Sequence, residues 1–310
     1  MQIIDKYSNS TVYPCVASIG FFDGVHKGHL CLINQVKEEA KKCGLRSALL
    51  TFPVHPAKIM RPEIVMEQLT LKDEKLELLD QTGVDYCFLM DFTPELSKLT
   101  AREFMEKILQ EKYNVKALII GYDHRFGHNR TEGFDEYCAY GKELGIRVIQ
   151  AEAYYDGGVD ISSSCIRKAI NAGNVELAEQ YLGYSFFLEG IVIKGKQLGR
   201  TIGFPTANVR INSVDKMIPK DGVYAVNVFV EGIHQAYWGM LNIGHRPTVD
   251  DGTNRSIEVN ILDFKGDIYD KKIRLVFKKR LRDEVKFASI DKLVDQLHKD
   301  EQSVRNISLK

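Results

Sequence analysis

The pattern of apolar residues changes once along this chain, close to Gly183. Before that point, short apolar segments alternate with amphipathic ones, which predicts a parallel sheet covered by helices on both faces. After it, strand-like segments follow one another with Gly, Asp and Asn turns between them, a pattern typical of an antiparallel barrel. The sequence therefore predicts an α/β protein of two domains. A Rossmann-like parallel-sheet domain is expected in residues 1–184 and a compact antiparallel β-barrel in residues 185–310.

The same periodicity predicts the individual elements. Before Gly183, the predicted strands are Pro14–Phe21, Leu45–Phe52, Val84–Met90, Val115–Ile120 and Ile146–Ala151. The predicted helices there are Gly28–Cys43, Lys72–Gln81, Ser162–Ala172 and Asn174–Leu182, and Thr100 with Glu103 forms a capping box for a further helix. After Gly183, the predicted strands are Phe186–Ile193, Val223–Val230, Gln235–Ile243, Ile257–Phe264 and Ile273–Phe277, followed by the helix Ile290–His298.

Composition argues against several classes of protein. The chain has 42 basic and 42 acidic residues, and this balance argues against a nonspecific nucleic-acid-binding or membrane-surface protein. Its six cysteines form no C-x-x-C pair, so reduced and mostly buried thiols are expected rather than a disulfide framework or a zinc ribbon. No apolar stretch reaches the roughly 18 residues of a membrane-spanning helix, and the N-terminus does not resemble a signal peptide. We therefore expect a cytoplasmic protein. As a separate expectation, it is a monomer or a weak homo-oligomer.

The segment Gly20–His29, GFFDGVHKGH, lies on a predicted turn between a strand and a helix. Its glycines allow the backbone to approach a ligand, and the first turn of the helix offers N–H groups and a positive dipole end to a phosphate. His26 and His29 lie three residues apart in that turn, where they could donate hydrogen bonds to phosphate oxygens. A metal-binding pair is the alternative for these histidines, but zinc needs further ligands held in place. The segment is therefore interpreted as a nucleotide-phosphate cradle, which points to nucleotidyl transfer.

Four segments of the first domain resemble one family. Gly20–His29 matches the pattern G-x-F-D-G-x-H-x-G-H of an adenylyltransferase group, and Thr51–Pro56 is similar to its T-F-x-P-H-P segment with the proline and the variable position exchanged. Gly121–Gly127 resembles its G-x-[DN]-F-R-F-G loop, and Ile161–Arg167 resembles its V-S-S-T-R-I-R run. The departures are His124 for Phe, Ser164 for Thr and Cys165 for Arg. The chain thus resembles, over essentially its whole length, the bacterial bifunctional riboflavin kinase/FMN adenylyltransferase family, often called FAD synthetase.

The resemblance implies that the first domain transfers the adenylyl group of ATP to FMN. The FMN phosphate is already anionic at pH 7 and would attack the α-phosphorus and expel pyrophosphate, so positioning and charge neutralisation suffice without a general base. His26, His29 and Arg167 would be catalytic, because they bring hydrogen-bond donors and positive charge to the triphosphate. The other residues implied to contact nucleotide or flavin are Gly20, Phe22, Asp23, Gly24, Gly28, Phe52, His55, Asp123, Arg125, Phe126, Ser162 and Ser163.

A second glycine-rich segment, Gly190–Asn208, opens the barrel domain. Its first part has P-loop spacing, but Gln197 stands where a P-loop has the Mg²⁺-binding Ser or Thr, and no helix is expected after it, so a P-loop is rejected. The whole segment, which ends in P-T-A-N, closely resembles the riboflavin kinase signature. Thr206 and Asn208 carry oxygen donors on one side of an extended segment, which suits Mg²⁺ held with nucleotide phosphates. The residues implied to contact the nucleotide are Gly195, Gly199, Arg200, Gly203 and Pro205.

Phosphorylation of a hydroxyl requires a group that accepts its proton, and Glu258 matches the family's catalytic glutamate. Strand alternation puts Glu258 on the face opposite the apolar residues of its segment, where a solvent-facing carboxylate is the alternative. Arg282 and Phe287 resemble a family segment that borders the flavin. The turn 242–248 is similar to the family's N-I-G-x-R-P-T and is interpreted as mainly structural, with a position of Arg246 near the site as the alternative.

The resemblance implies an enzyme that makes FMN from riboflavin and ATP, and then FAD from FMN and a second ATP, with Mg²⁺ as cofactor and no nucleic-acid or membrane partner. A half-active enzyme that stops at FMN stays open, because all three departures lie in the first domain. A regulatory flavin- or nucleotide-binding protein with inactive sites is disfavoured, since the key histidines, the P-T-A-N segment and the glutamate are intact. A tRNA-handling protein with the same histidine motif is disfavoured by the lack of a basic surface.

Overall fold

The structure is a computed structural model that describes residues 1–8, 10–122, 124–152, 154–156, 159–195, 197–245 and 255–309. The chain divides into two compact units, Met1–Ser163 and Ser164–Lys310. The division falls inside the segment Ile161–Arg167. The predicted domain boundary after residue 184 remains a prediction.

The first unit is built on a six-stranded parallel sheet in the spatial order β1-β4-β3-β2-β5-β6. Its strands are β1 (Gln2–Ile4), β2 (Cys15–Ile19), β3 (Arg46–Thr51), β4 (Tyr86–Leu89), β5 (Val115–Ile120) and β6 (Arg147–Gln150). Its helices are α1 (Lys27–Cys43), α2 (Pro56–Met60), α3 (Lys72–Asp80), α4 (Pro94–Lys98), α5 (Ala101–Phe104) and α6 (Phe134–Leu144). A π-helix, Met105–Lys112, continues α5, a 3-10 turn covers His128–Arg130, and β7 (Tyr155–Asp156) pairs with β8 (Val159–Asp160).

Burial explains why these segments form this sheet. Every residue of β2 is buried. Alternate residues of the strand face opposite sides of the sheet, so that Ala17 packs in one core and Val16 in another. A strand buried on both faces is what a parallel sheet between helix layers requires. Helix α1 supplies part of one layer through Ile33 and Val36, and it ends at Gly44, whose φ of 65° allows the left-handed cap. The predicted capping box at the start of α5 is also present.

The strand order fixes where a ligand can bind. From β2 the chain continues into β3 on one side of it, while β5 pairs with the other side. Such a reversal of direction opens a crevice beyond the carboxyl ends of the strands. The segment Gly20–His29 leaves β2 at this crevice.

The second unit contains a closed antiparallel barrel in the order β10-β13-β12-β11-β14-β9. Its strands are β9 (Phe187–Ile193), β10 (Ala207–Ile211), β11 (Gly222–Val230), β12 (Tyr237–His245), β13 (Arg255–Ile261) and β14 (Lys272–Arg282). Its helices are α7 (Ser163–Asn171), whose first residue belongs to the first unit, α8 (Val175–Leu182), α9 (Leu198–Thr201) and α10 (Ile290–Ser308). Parallel sheet and antiparallel barrel together confirm the predicted fold class.

Some elements were predicted with wrong bounds, and others were not predicted at all. Helix α10 runs ten residues beyond the predicted end, because Val304 and Ile307 continue its apolar face against the barrel. Strand β13 stops at Ile261, where a turn with Asp263 at φ 55° follows. One helical turn, α9, occupies a position where no helix was expected. The sequence analysis also missed β1, α2, α4, α6, β7, β8 and β10.

Candidate active sites

Three of the motif loops of the first unit follow adjacent strands. Because β2 pairs with both β3 and β5, the segments after these strands, Gly20–His29, Thr51–Pro56 and Gly121–Gly127, leave the sheet at the same edge. Asp123, one of the predicted contacts, lies outside the described residues. The sheet thus brings together segments that lie far apart in sequence.

The loop before α1 has an unusual backbone. Phe22 has a φ of 54° and Val25 a φ of 36°, in the left-handed region that non-glycine residues rarely adopt, and Gly24 has a φ of 81°. Both apolar side chains are buried at 2% exposure, so packing against the core holds the loop in this conformation. Strain of this kind is typical of functional sites, where it holds groups ready for a ligand.

His26 and His29 form a stacked pair at the start of α1. The backbone N–H of His29 donates to His26 Nδ1 at 3.3 Å, and the ring centroids lie 3.7 Å apart. A Cβ on Gly28 would lie 3.2 Å from both the His26 ring and the Ile161 carbonyl oxygen. A glycine at position 28 therefore lets the helix start approach the segment that leads into α7.

The environment of His29 favours its neutral form. Burial, His26 and the Lys75 cation together hold the pKa of His29 well below its usual value of 6.5. Its Nδ1 is buried and has no hydrogen-bond partner among the described residues. Across those residues, no cluster of three or more His, Cys, Asp or Glu side chains could hold a metal ion. The histidine pair is thus suited to hydrogen bonding with a ligand.

Asp23 uses its carboxylate to fasten the loop. This side chain is 3% exposed and accepts hydrogen bonds from the backbone N–H groups of Leu69, at 3.2 Å, and Thr70, at 3.0 Å. The Thr70 hydroxyl in turn accepts from Gly24 N–H at 2.9 Å, and Ser163 Oγ donates to the Asp23 carbonyl at 2.9 Å. Ser162 lies directly before α7. The contacts of Asp23 are thus those of a residue that shapes the cradle.

An aromatic cavity of about 130 Å³ lies beside this cradle. Phe126 is held there by Tyr137, whose ring stacks on it at 4.2 Å and whose hydroxyl accepts from the Phe126 N–H at 3.0 Å. Arg125 and Arg130 bring positive charge to the lining. The complete lining is Ile19, Phe52, Pro56, Phe92, Leu96, Ser97, Leu99, Phe104, His124, Arg125, Phe126, Gly127 and Arg130.

Two other predicted residues of the adenylyl-transfer site, His55 and Arg167, lie at or within helices outside the loop that precedes α1. His55 begins α2, where its Nδ1 accepts from Ala57 N–H at 3.1 Å, and its ring contacts the ring of Phe21 edge to face at 4.6 Å. Arg167 lies on α7, in the second unit. Its role at the triphosphate remains a prediction from the motif.

The predicted kinase residues meet on the wall of the barrel. Asn208 on β10 lies directly opposite Glu258 on β13, and the Thr206 hydroxyl donates to Glu258 Oε2 at 3.3 Å. Asn208 is 6% exposed, and Gly195 packs so closely on its amide that a Cβ there would overlap it. Gly199 approaches the Phe204 carbonyl in the same way, so a larger residue would displace the glycine-rich segment.

A cavity of about 390 Å³ opens beside these residues. Tyr269, which the sequence analysis missed, lines it and contacts Arg200 and Gln197 through its hydroxyl at 3.2 and 3.3 Å. The turn signal Gly266-Asp267 before it was available in the sequence, but only the fold shows that it faces the P-T-A-N segment. The lining is Val192, Arg200, Pro205, Thr206, Ala207, Val259, Ile261, Phe264, Lys265, Gly266, Asp267, Ile268 and Tyr269.

Arg282 and Phe287 lie where the last strand leads into α10. The Arg282 guanidinium binds both oxygens of Asp300, with Nη2 to Oδ2 at 2.7 Å, and lies 5.7 Å from the centroid of the Phe287 ring. Asp300 is 3% exposed and also accepts from Gln296. Arg282 therefore ties the segment around Phe287 to the final helix. Arg246 lies outside the described residues.

Comparison with known proteins identifies the family. A family model described as FAD synthetase matches residues 8–165, and one described as riboflavin kinase matches residues 182–308. A relative from Escherichia coli (strain K12), named bifunctional riboflavin kinase/FMN adenylyltransferase, is 39% identical over 98% of this chain and 97% of its own length. The chain belongs to the bifunctional riboflavin kinase/FMN adenylyltransferase family.

Other members and one solved structure agree with this membership. Relatives of the same name from Pseudomonas fluorescens and Bacillus subtilis are 36% and 35% identical, over 95% and 93% of this chain and 93% and 90% of their own lengths. A crystal structure named as a macrolide-efflux protein from Streptococcus pneumoniae is 34% identical, covers 98% of this chain and 99% of its own, and has a TM-score of 0.89. That likeness extends over both folds.

Membership of the riboflavin kinase/FMN adenylyltransferase family confirms the resemblance and the two activities expected from it. The prediction of mostly buried thiols is wrong, because only Cys15 and Cys87 of the six cysteines are buried. No helix in the part of the chain that the structure describes is long and apolar enough to cross a membrane.

Proposed function

We propose that the barrel phosphorylates riboflavin at a site formed by Thr206, Asn208 and Glu258. The parallel-sheet domain then adenylylates the resulting FMN at a site that contains His26 and His29. The observation that carries this proposal is the convergence of the P-T-A-N segment on Glu258. A hydroxyl, an amide and a carboxylate meet there next to a cavity of about 390 Å³. Positioned oxygen ligands and a carboxylate base are what phosphoryl transfer to an alcohol requires.

In the kinase reaction, Glu258 accepts the proton of the ribityl hydroxyl while that oxygen bonds to the γ-phosphorus of ATP and ADP leaves. The Thr206 hydroxyl, which donates to Glu258 Oε2, orients the carboxylate. Arg200 brings positive charge to the cavity, and Tyr269 holds it there through its hydroxyl. Glycine-rich backbone N–H groups contact the phosphates.

The donor set of the kinase site fits Mg²⁺. Oxygen ligands are those that Mg²⁺ prefers, and the lack of a side chain at Gly195 leaves space for the Asn208 amide. Thr206 and Asn208 would hold the ion, which when bound neutralises the charge of the nucleotide phosphates.

In the adenylyl transfer, an oxygen of the FMN phosphate bonds to the α-phosphorus of ATP and pyrophosphate leaves, with no proton to remove. His26 and His29 donate hydrogen bonds to the triphosphate at the start of α1, where the helix dipole already favours negative charge. Arg167 adds a fixed positive charge to the same phosphates. Gly20, Gly24 and the other residues of the loop keep the backbone close to the ligand.

The aromatic cavity is the proposed binding site of the flavin ring. A flat, largely apolar ring system is bound by stacking surfaces with few polar contacts, which Phe52, Phe126 and Arg125 supply. The partners are the small-molecule substrates riboflavin, FMN and ATP. We propose a cytoplasmic enzyme that binds no nucleic acid and acts as a monomer or a weak homo-oligomer.

Separation of flavins by chromatography tests this function. Wild-type protein incubated with riboflavin, ATP and Mg²⁺ is expected to produce FAD. Glu258→Gln, which removes the base but keeps the size of the side chain, is expected to lower FMN formation by about 10²–10⁴-fold and to keep FAD formation from supplied FMN. Formation of FMN but no FAD by the wild type would limit the activity to the kinase, and formation of neither product would refute the proposal.

A further inference from the structure

Lys75 on α3 is a buried cation that contacts both the segment Gly20–His29, here called the histidine loop, and the segment Thr51–Pro56. The side chain is 1% exposed, and a buried ammonium is costly unless its hydrogen bonds are satisfied. Its Nζ donates to the carbonyl oxygens of Phe21, at 3.0 Å, and Phe52, at 2.8 Å, and to the hydroxyl of Thr51, at 3.3 Å. All three protons of the ammonium are therefore engaged.

These acceptors belong to different loops. Phe21 lies in the histidine loop after β2, whereas Thr51 and Phe52 lie at the end of β3, on the side of the aromatic cavity. The Thr51 hydroxyl also donates to the Phe21 carbonyl at 3.1 Å. One ammonium thus joins the histidine loop, which is the proposed triphosphate loop, to the segment Thr51–Pro56, which is the proposed flavin loop.

The ring of Phe21 extends this connection. Lys75 Nζ lies 3.9 Å from the centroid of that ring, within cation–π distance. The Phe21 ring also contacts the His55 ring edge to face. The charged and titratable groups around Lys75 are Asp23 from the histidine loop, His29 from α1 and Cys87 from β4. Burial lowers the pKa of Lys75 to about 8, so the ammonium stays protonated at pH 7.

Alignment matters here because adenylyl transfer has no proton-transfer step. Its rate then depends on how closely the FMN phosphate oxygen and the α-phosphorus are held in line, and a displacement of about 1 Å can cost roughly 10²-fold. The two reacting groups belong to ligands that are bound by the two loops Lys75 connects. We propose that Lys75 is a positioning residue for adenylyl transfer, which sets the distance between the triphosphate loop and the flavin loop. This inference rests on the proposed function of the first unit.

Kinetics of FAD formation from FMN test the inference in the full-length protein. Lys75→Met keeps the length of the side chain and removes the three hydrogen bonds. The expected result is a kcat lower by about 10²-fold, with KM for ATP and FMN within about threefold of the wild type, because each loop still binds its own ligand. Riboflavin kinase activity of the same sample is expected to be unchanged. Lys72→Met is the matched control, since Lys72 is exposed on the same helix.

Thr51→Val is the second variant, in case Lys75→Met does not fold. It removes one acceptor of Lys75 and one donor to Phe21, and it is expected to lower kcat by roughly tenfold with little effect on KM. A folded Lys75→Met or Thr51→Val protein whose kcat stays within about twofold of the wild type would overturn the inference. So would a rise in both KM values with kcat unchanged, since that indicates loose binding rather than misalignment. If the wild type forms no FAD, the proposed function fails instead.

Discussion

At the residue scale, the histidine loop combines strain with buried polar contacts. Phe22 and Val25 hold a costly backbone conformation because their side chains are buried in the core. Asp23 stabilises the same turn by accepting from the backbone of Leu69 and Thr70. Burying a carboxylate is tolerated when several donors satisfy it. The loop is therefore shaped before a nucleotide binds, which lowers the entropy cost of binding it.

His29 should make the protein less stable in mild acid. Its pKa is lowered in the folded state, so below pH 6.5 the unfolded chain binds a proton that the folded chain does not. Stability from this source is complete above pH 6.5 and falls as the pH drops towards the folded pKa, by at most about 1.4 kcal/mol per pH unit. Urea unfolding of wild type and His29→Gln between pH 7.5 and 5 measures the difference. An equal loss of stability in both proteins would contradict the assignment to His29.

At the element scale, the final helix is held to the barrel by a partly buried ion pair, by the more exposed pair of Arg305 with Asp263 and by an apolar face. Arg282 at the end of β14 binds both oxygens of Asp300 on α10, while Val304 packs with Phe204 and Met240. The same arginine faces the Phe287 ring. The position of the segment between β14 and α10 thus depends on a residue near the end of the chain.

Asp300→Ala should destabilise the barrel domain. The substitution leaves the partly buried Arg282 cation without its bidentate partner, which costs about 3–5 kcal/mol when such a pair is broken. We also expect a higher KM for riboflavin, because Asp300 no longer holds Arg282 in place against the Phe287 ring. Thermal unfolding and kinase kinetics measure both effects, with Asp295→Ala as the control on the exposed face of α10. Equal melting temperatures for the two variants would contradict this role of Asp300.

At the scale of the whole molecule, one chain carries two compact units and two activities. Each unit has its own core, and the family models match them separately, as residues 8–165 and 182–308. FMN is the product of one proposed reaction and the substrate of the other. It is a small molecule that can diffuse between molecules.

Mixing two singly inactive variants should therefore restore FAD synthesis from riboflavin. Glu258→Gln lacks the kinase base, and a variant with both His26→Ala and His29→Ala lacks the proposed phosphate donors, so neither alone should convert riboflavin to FAD. Together they should, because FMN made by the second variant reaches the first. Flavin chromatography of the mixture and of each variant alone measures this. A mixture that accumulates FMN without FAD would show that FMN has to pass within a single chain.

Local patterns were sufficient for most elements and for the motif residues. Apolar periodicity located β2 to β6 of the sheet and the start of α1, because buried strands and amphipathic helices repeat their apolar residues at characteristic spacings. Motif spacing identified His26, Thr206 and Glu258 as candidates. Neither pattern found α6 or the C-terminal half of α10. The apolar residues of these helices stabilise them only through packing against the rest of the fold.

By itself, the sequence determined the two-domain organisation, the fold class and the chemistry of the motifs, since these depend on residues close together along the chain. Only the tertiary structure decided which distant residues share a site. Strand order brings three loops to one sheet edge, and barrel register sets Asn208 opposite Glu258. The connection made by Lys75 was also decided only by the tertiary structure, because nothing in its local sequence distinguishes Lys75 from the exposed Lys72. Burial and the position of carbonyl oxygens from two other loops make that difference, and both arise only when the chain has folded.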